Sequence, residues 1–263
     1  MPRFAANLSF LFHEVPFEQR FARAAAAGFG GVEYFFPYAL PAARIAALLA
    51  EHRLTQVLFN LPAGNWEAGE RGIATHPDRV GEFRDSVGLA LDYAVALGCT
   101  QVNCLAGIPP PGADPQRVRE TFIDNLRYAA GQAASAGVRM LSEPINGRDM
   151  PGFYLNRSAQ AIELFDAAGG DNLYLQYDVY HMQVMEGDLA PTLSRLLPRI
   201  AHIQFADTPG RHQPGTGEIN FPFLFGHVDR IGYTGWMSAE YRPLGGTEAS
   251  LGWLATEPAT GRA

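Results

Sequence analysis

Leu173-Tyr174-Leu175-Gln176-Tyr177-Asp178-Val179-Tyr180-His181 is the stretch around which the rest of the chain is organised. It opens as an aliphatic and aromatic run with strand character, then sets Asp178 and His181 where that strand should give way to a loop. A carboxylate and an imidazole at a strand's C-terminal edge point to chemistry only if other strands end the same way. Taken alone, Asp is a common turn starter and a lone His commonly belongs to a surface or a satisfied core.

Outward from this stretch the chain repeats one unit. Strand-like runs occupy Phe4 to Leu8, Gly31 to Phe36, Thr55 to Asn60, Gln101 to Leu105, Met140 to Glu143, the opening stretch, Ile200 to Gln204 and Trp236 to Glu240. Each is followed by apolar residues at helical spacing, such as Phe17, Phe21 and Ala24, or Val80, Phe83, Val87, Leu91 and Ala94. Ser158 is placed to cap the helix holding Ile162 and Phe165, and a last helix is expected from about Glu248 to Leu254. Glycines at 28, 98, 137, 169 and 232 close helices before the next strand. Eight strand-then-helix units predict a single (β/α)8 TIM barrel over residues 1–263, with 257–263 a flexible tail. A doubly wound open sheet would need a glycine-rich phosphate turn after the first strand, and Asn7-Leu8-Ser9-Phe10 is not one.

The totals allow one large domain as readily as two small ones. Hydrophobic residues make up 47% of 263, and a net charge of −7 with no basic run argues against a nucleic-acid or anionic-membrane partner. Cys99 and Cys104 have neither redox-pair nor zinc-knuckle spacing, so they read as free thiols in a reducing compartment, and the expected location is cytoplasmic. The apolar segment Phe4 to Phe12 reads as a first strand rather than a signal peptide, and no stretch is long enough to span a bilayer. A homo-oligomer is left open.

In such a barrel the C-terminal strand ends share one pocket. Strands five to eight bring Glu143, Asp178, Gln204 and Glu240 to it. Singly these have ordinary readings: a solvated strand end, a turn residue, a loop hydrogen-bonder, a surface pair with Arg242. Four consecutive strands ending this way make a shared site the better explanation. Three carboxylates and an amide oxygen would repel one another without a divalent cation between them, and all-oxygen ligands favour Mg²⁺ or Mn²⁺ over zinc. His202 and Gln204 face the same side of strand seven, with Asp207 in the loop beyond. Glu33 on strand two can also face the pocket but is assigned a structural role, as are His13, His52, His76, His212 and His227.

Several stretches carry a family resemblance along nearly the whole chain: Arg3-Phe4-Ala5-Ala6-Asn7-Leu8-Ser9, Asn60-Leu61-Pro62-Ala63-Gly64, residues 68–74, 125–130, Glu143-Pro144-Ile145-Asn146, Gln176-Tyr177-Asp178-Val179-Tyr180-His181-Met182-Gln183 and residues 214–220. The chain resembles the hydroxypyruvate isomerase family of xylose-isomerase-like barrels, and 2-oxo-tetronate isomerases share most of this signature. The resemblance implies that Glu143 and Glu240 are the catalytic pair, and that Asp178 and Gln204 complete a metal site with them. Wider relatives such as the ketose 3-epimerases usually place a His where this chain has Gln204.

The chemistry so implied interconverts hydroxypyruvate and tartronate semialdehyde through an enediol, one glutamate removing a proton and the other returning one. His181 is placed to bond a substrate oxygen. The carboxylate of a small hydroxy or oxo acid needs a guanidinium, with Arg71 in the long loop after strand three the first candidate, then Arg211 and Arg242. Alternatives are a 2-oxo-tetronate isomerase, a ketose 3-epimerase, a non-catalytic sugar-acid-binding protein, and a zinc-dependent DNA-repair endonuclease, the last disfavoured by the acidic balance and by Gln204.

Overall fold

A computed structural model describes residues 2–255, so the expected tail at 257–263 lies outside the described residues. Eight parallel strands form one sheet: β1 (Arg3–Asn7), β2 (Gly31–Glu33), β3 (Thr55–Leu58), β4 (Gln101–Asn103), β5 (Arg139–Ser142), β6 (Leu173–Asp178), β7 (Ile200–Phe205) and β8 (Trp236–Ala239). Hydrogen-bonded neighbours run β3-β2-β1-β8-β7-β6-β5-β4. The last seam closes through the bridge between Asn60 and Asn103, where Leu61 N–H donates to Asn103 O at 2.8 Å and Asn103 N–H to Phe59 O at 3.0 Å. The architecture is the expected (β/α)8 barrel, with several strands shorter than the apolar runs suggest. Phe35 and Phe36 leave β2 because their rings pack on Phe10 and Trp66 in the loop layer above it.

The helices form where amphipathic spacing and end signals coincide. In α3 (Val80–Leu97), Phe83, Val87, Ala90, Ala94 and Leu97 are buried along one face, and Gly98 ends the helix at φ +62°, which costs glycine little. In α4 (Pro115–Ser135), the carboxylate of Asp114 accepts from Arg117 N–H, and Pro115 occupies a position where no amide donor is needed. The remaining helices are α1 (Phe17–Ala26), α2 (Ala42–His52), α5 (Ser158–Ala168), α6 (Val179–Met185), α7 (Leu189–Leu196) and α8 (Phe221–Arg230).

Three local expectations are corrected. Ser158 is not the cap of α5: it lies inside the helix, and its N–H and hydroxyl donate to Glu186 at 2.7 and 2.8 Å. Glu248–Ala255 is a 3₁₀ helix rather than an α-helix. The opening stretch does not run into a loop, because Asp178 caps α6 by accepting from Tyr180 N–H at 2.8 Å, so His181 sits on a helix.

The main core lies between helices and sheet, with Phe21, Phe83, Phe122, Phe165 and Phe205 fully buried. A second apolar cluster joins Ala5 of β1, Val57 and Leu58 of β3, Leu141 of β5 and Ala201 of β7. Residues of alternate strands meet this way only through the interior, so the cluster is a side-chain layer of the barrel. Above it the interior turns polar, and register sets the levels: Asn7 pairs with Glu33, Asp178 with Gln204, and Gln204 with Ser238. Among the described residues no helix is long and apolar enough to cross a membrane. Cys99 and Cys104 are both buried and free.

Candidate active site

Glu143 follows β5 and precedes Pro144, Asp178 ends β6, and Glu240 extends the β8 ladder by donating its N–H to Phe205 O at 3.0 Å. All three carboxylates are buried. Glu143, Gln204 and Glu240, with Asn7 and Glu33, line a cavity of only about 10 Å³, on the order of one water site.

The carboxylates differ in their partners. Glu143 Oε1 is buried with no hydrogen-bond partner. Burial therefore drives its carboxyl well above the usual range, and the nearby charges of Glu240 and Asp178 add to the rise. Burial pushes Asp178 up to about 6, against the pull of Arg211 and of the backbone N–H groups of Tyr180 and His181. Glu240 is also raised by burial, with Arg211 opposing, yet both its oxygens are engaged. Oε1 accepts from Arg211, and Oε2 accepts from Asn7 Nδ2 at 2.8 Å and from Gln204 Nε2.

His181 presents a defined edge. Asp149 N–H donates to Asn146 Oδ1 at 2.8 Å, which fixes the amide so that Asn146 Nδ2 donates to His181 Nδ1 at 2.7 Å. With Nδ1 accepting, the neutral ring carries its proton on Nε2. That nitrogen lies 3.4 Å from Asp178 Oδ2 and 3.8 Å from Glu143 Oε1. Burial, with Arg211 and Arg148 adding to it, holds the ring well below the usual histidine range and so neutral.

The three arginine candidates separate in space: Arg242 is exposed, and the other two differ in their partners. Arg211 Nη2 donates to Asp178 Oδ2 at 3.3 Å and to Glu240 Oε1, the guanidinium lies 4.9 Å from the ring of Phe10 and 5.1 Å from that of Tyr180, and Nε is buried without an acceptor. Its loop is built by Asp207, whose carboxylate accepts from the N–H groups of Gly215, Thr216, Gly217 and Ile219. Gly217 is required there, because a Cβ would stand 2.1 Å from Thr208 O. Arg71 instead lies 4.2 Å from the ring of Trp66 and donates to the carbonyls of Trp66 and Glu70, while Glu70 pairs with Arg79.

Gln204 turns its –NH₂ toward two carboxylates, Glu33 Oε1 at 2.7 Å and Glu240 Oε2, and its oxygen accepts from Gln176 Nε2 at 2.6 Å. In this arrangement it is a donor, not the oxygen ligand expected. His13, His76, His212 and His227 bond backbone carbonyls. Asn7 and Asn146 join the site although the sequence does not single them out, and Glu33, expected to be structural, joins it as well. Asn7 and Asn146 stand inside the motifs Ala6-Asn7-Leu8 and Glu143-Pro144-Ile145-Asn146, which is the signal that could have found them.

The donor set fits a divalent cation. Three buried carboxylates face one guanidinium, Glu143 Oε1 lacks a hydrogen-bond partner, and ligand atoms of Glu143, Asp178 and His181 lie within 4.8 Å of one another. Of these three, His181 is the weakest ligand, since its Nε2 carries the proton in the tautomer that Asn146 imposes.

The C-terminal mouth of the (β/α)8 barrel thus gathers unlike buried carboxylates, a neutral imidazole and a guanidinium. The chain belongs to the xylose isomerase-like TIM barrel family, whose model matches residues 21–257. It is 49% identical to a 2-oxo-tetronate isomerase of Cupriavidus necator over 262 residues, covering 100% of both chains. It is 48% identical to the hydroxypyruvate isomerase of Escherichia coli over 254 residues, covering 97% of this chain and 98% of the other. The crystal structure of a Brucella melitensis protein, named AP endonuclease, family 2, superposes with a TM-score of 0.95 at 48% identity, covering 97% of this chain and 98% of that one.

Proposed function

We propose that the protein is a hydroxypyruvate isomerase, interconverting hydroxypyruvate and tartronate semialdehyde by proton transfer through an enediolate. The observation that carries this reading is the inequality of Glu143 and Glu240 on one small cavity, the first with a bare buried oxygen and the second with donors on both oxygens. The names of the relatives support the substrate class, a short 2-oxo or hydroxy acid.

Two carboxyl groups in different environments take different proton roles. Burial raises Glu240, but the donors on its two oxygens, Arg211, Asn7 and Gln204, favour the carboxylate, and in that ionised form it removes a proton from C3 of hydroxypyruvate. The electrons form the C2–C3 double bond of the enediolate. Glu143 starts protonated and delivers its proton to C2, while the hydroxyl hydrogen moves from O3 to O2. The product is the aldehyde at C3 and the alcohol at C2, with atoms and electrons balanced. His181 Nε2–H donates to a substrate oxygen where charge develops.

Arg211 is the better carboxylate clamp, because its buried Nε lacks an acceptor and the rings of Phe10 and Tyr180 hold its plane. Glu143, Asp178 and Glu240 are the side chains that would hold a divalent cation, Mg²⁺ or Mn²⁺ by their hardness, with Gln204 joining through oxygen only if its amide turns over. Such an ion supplies Lewis-acid stabilisation of the enediolate oxygens. Free buried thiols at Cys99 and Cys104, both pushed up to about 12 by burial, fit a cytoplasmic enzyme.

A 2-oxo-tetronate isomerase is the second reading, favoured by the Cupriavidus relative and served by the same proton chemistry on one more carbon. The name of the Brucella protein raises DNA-repair chemistry, which calls for several histidine ligands and a basic groove. Here His181 turns an N–H to the carboxylates, and the net charge is −7. Side-by-side turnover of hydroxypyruvate and a 2-oxo-tetronate, with and without chelator, tests the reading. Faster turnover of hydroxypyruvate supports it, faster turnover of the four-carbon acid replaces it with the second reading, and no turnover of either removes both.

A further inference from the structure

Glu33 is 1% exposed at the end of β2, and its hydrogen bonds repeat those of Glu240. Its Oε1 accepts from Asn7 Nδ2 at 2.9 Å and from Gln204 Nε2 at 2.7 Å, the same two amide groups that donate to Glu240 Oε2. Its Oε2 accepts from His202 Nε2 at 2.6 Å. An amide –NH₂ carries two hydrogens, so Asn7 and Gln204 each spend one on Glu33 and one on Glu240.

The far ends of both amides are closed as well. Asn7 Oδ1 accepts from Ser9 N–H at 2.9 Å, and Gln204 Oε1 accepts from Gln176 Nε2. Neither amide can turn over without setting a carbonyl oxygen against two carboxylates. The two carboxylates therefore determine the direction of the amides, and the amides determine where Glu240 Oε2 stands.

We propose that Glu33, backed by His202, is a positioning residue for Glu240: it anchors Asn7 and Gln204 so that their N–H groups hold the Glu240 carboxylate in line with the substrate carbon. This rests on the reading of Glu240 as a proton carrier. Replacing both partners of a buried hydrogen bond by apolar groups of the same shape can be nearly neutral, so stability alone does not account for the Glu33–His202 pair inside the barrel under the site. Proton transfer is far more sensitive, since misplacing a catalytic group by about 1 Å costs on the order of 100-fold in rate.

Glu33→Gln tests this, because glutamine keeps the size and turns one acceptor into a donor that faces donors. The expected result is a kcat lower by about 10- to 100-fold with KM within about threefold. The melting temperature should stay close to the wild type, and a crystal structure of the variant should show the Gln204 amide or the Glu240 carboxylate displaced. His202→Gln, which keeps a donor to Glu33, should lose less than Glu33→Gln. A Glu33→Gln enzyme with wild-type kcat and Glu240 in place overturns the proposal, as does a loss of kcat matched by a collapse in melting temperature. If the wild type turns over neither acid, the functional reading fails while the crystal structure of the variant still decides whether Glu33 positions Glu240.

Discussion

Asn146 sets the proton of His181. Its Nδ2 lies 2.7 Å from His181 Nδ1, and its oxygen is held by the N–H of Asp149, so the imidazole can be neutral in only one tautomer and turns Nε2–H to the carboxylates. Asn146→Asp would set a carboxylate oxygen toward Nδ1 and favour a proton there, opposed only by the longer backbone N–H contact of residue 146 at 3.3 Å. The expected outcome is a kcat lower by about 10- to 100-fold, with Asn146→Ala less affected than Asn146→Asp. Steady-state kinetics on the two variants checks the order.

Glu143→Gln and Glu240→Gln should each lower kcat by about 10³-fold or more, as removal of a proton carrier does. Their stabilities should diverge. Glu143→Gln removes a buried carboxylate whose Oε1 has no partner, so its melting temperature should equal or exceed the wild type. Glu240→Gln leaves Arg211 buried with one carboxylate fewer and should lower it.

The same carboxylates predict how stability varies with pH. Glu143, Asp178 and Glu240 are raised in the folded state, Asp178 to about 6 from an ordinary 3.8. Between those values the folded chain binds protons that the unfolded chain has released, so this contribution is full below about pH 4 and is lost as pH rises through 6 and above. Glu33 and Asp149, both held below their usual range, act oppositely as pH falls through about 4, and His181, held well below its ordinary 6.5, acts oppositely as pH falls through that value, one group against three raised carboxyls. With chelator present, the melting temperature should be lower at pH 7.5 than at pH 5.5. Mn²⁺ should close the gap in the wild type, and Glu143→Gln should narrow it without metal. A gap of the opposite sign would count against unpaired acids at the site.

The two arginines offer a direct contrast. Arg211→Lys keeps the charge but loses the fork and its contacts with Phe10 and Tyr180, and should raise KM for the acid substrate by about 10- to 100-fold, one charge-assisted hydrogen bond's worth. Arg71→Lys should leave KM within about threefold, because Arg71 spends its donors on the carbonyls of Trp66 and Glu70. Equal effects of the two changes would return the carboxylate to the long loop.

Much of this is legible in the sequence where one rule converts position into geometry. Eight βα units place strand ends in one mouth, which is why Glu143, Asp178 and Glu240 can be named together. His181 is legible as a residue but not as part of α6, since Val179 and Tyr180 look like more strand and the helix depends on Asp178 capping it. The direction of the Gln204 amide is not legible, because it is set by Glu33, 171 residues away, and by Glu240. Asn7 escapes notice and Glu33 is noticed only as a structural residue for the same reason: their contacts cross the barrel, and no local pattern records them.

Glu240 takes a proton from C3, and Glu143 delivers a different one to C2. Turnover of hydroxypyruvate in D₂O, followed by mass spectrometry and NMR of the product, tests this most directly. A carboxyl group that shares its proton with solvent should place deuterium on C2 of tartronate semialdehyde. Product that retains only protium at C2 while turnover proceeds would contradict the account, because the hydrogen would then have passed directly between the carbons as hydride.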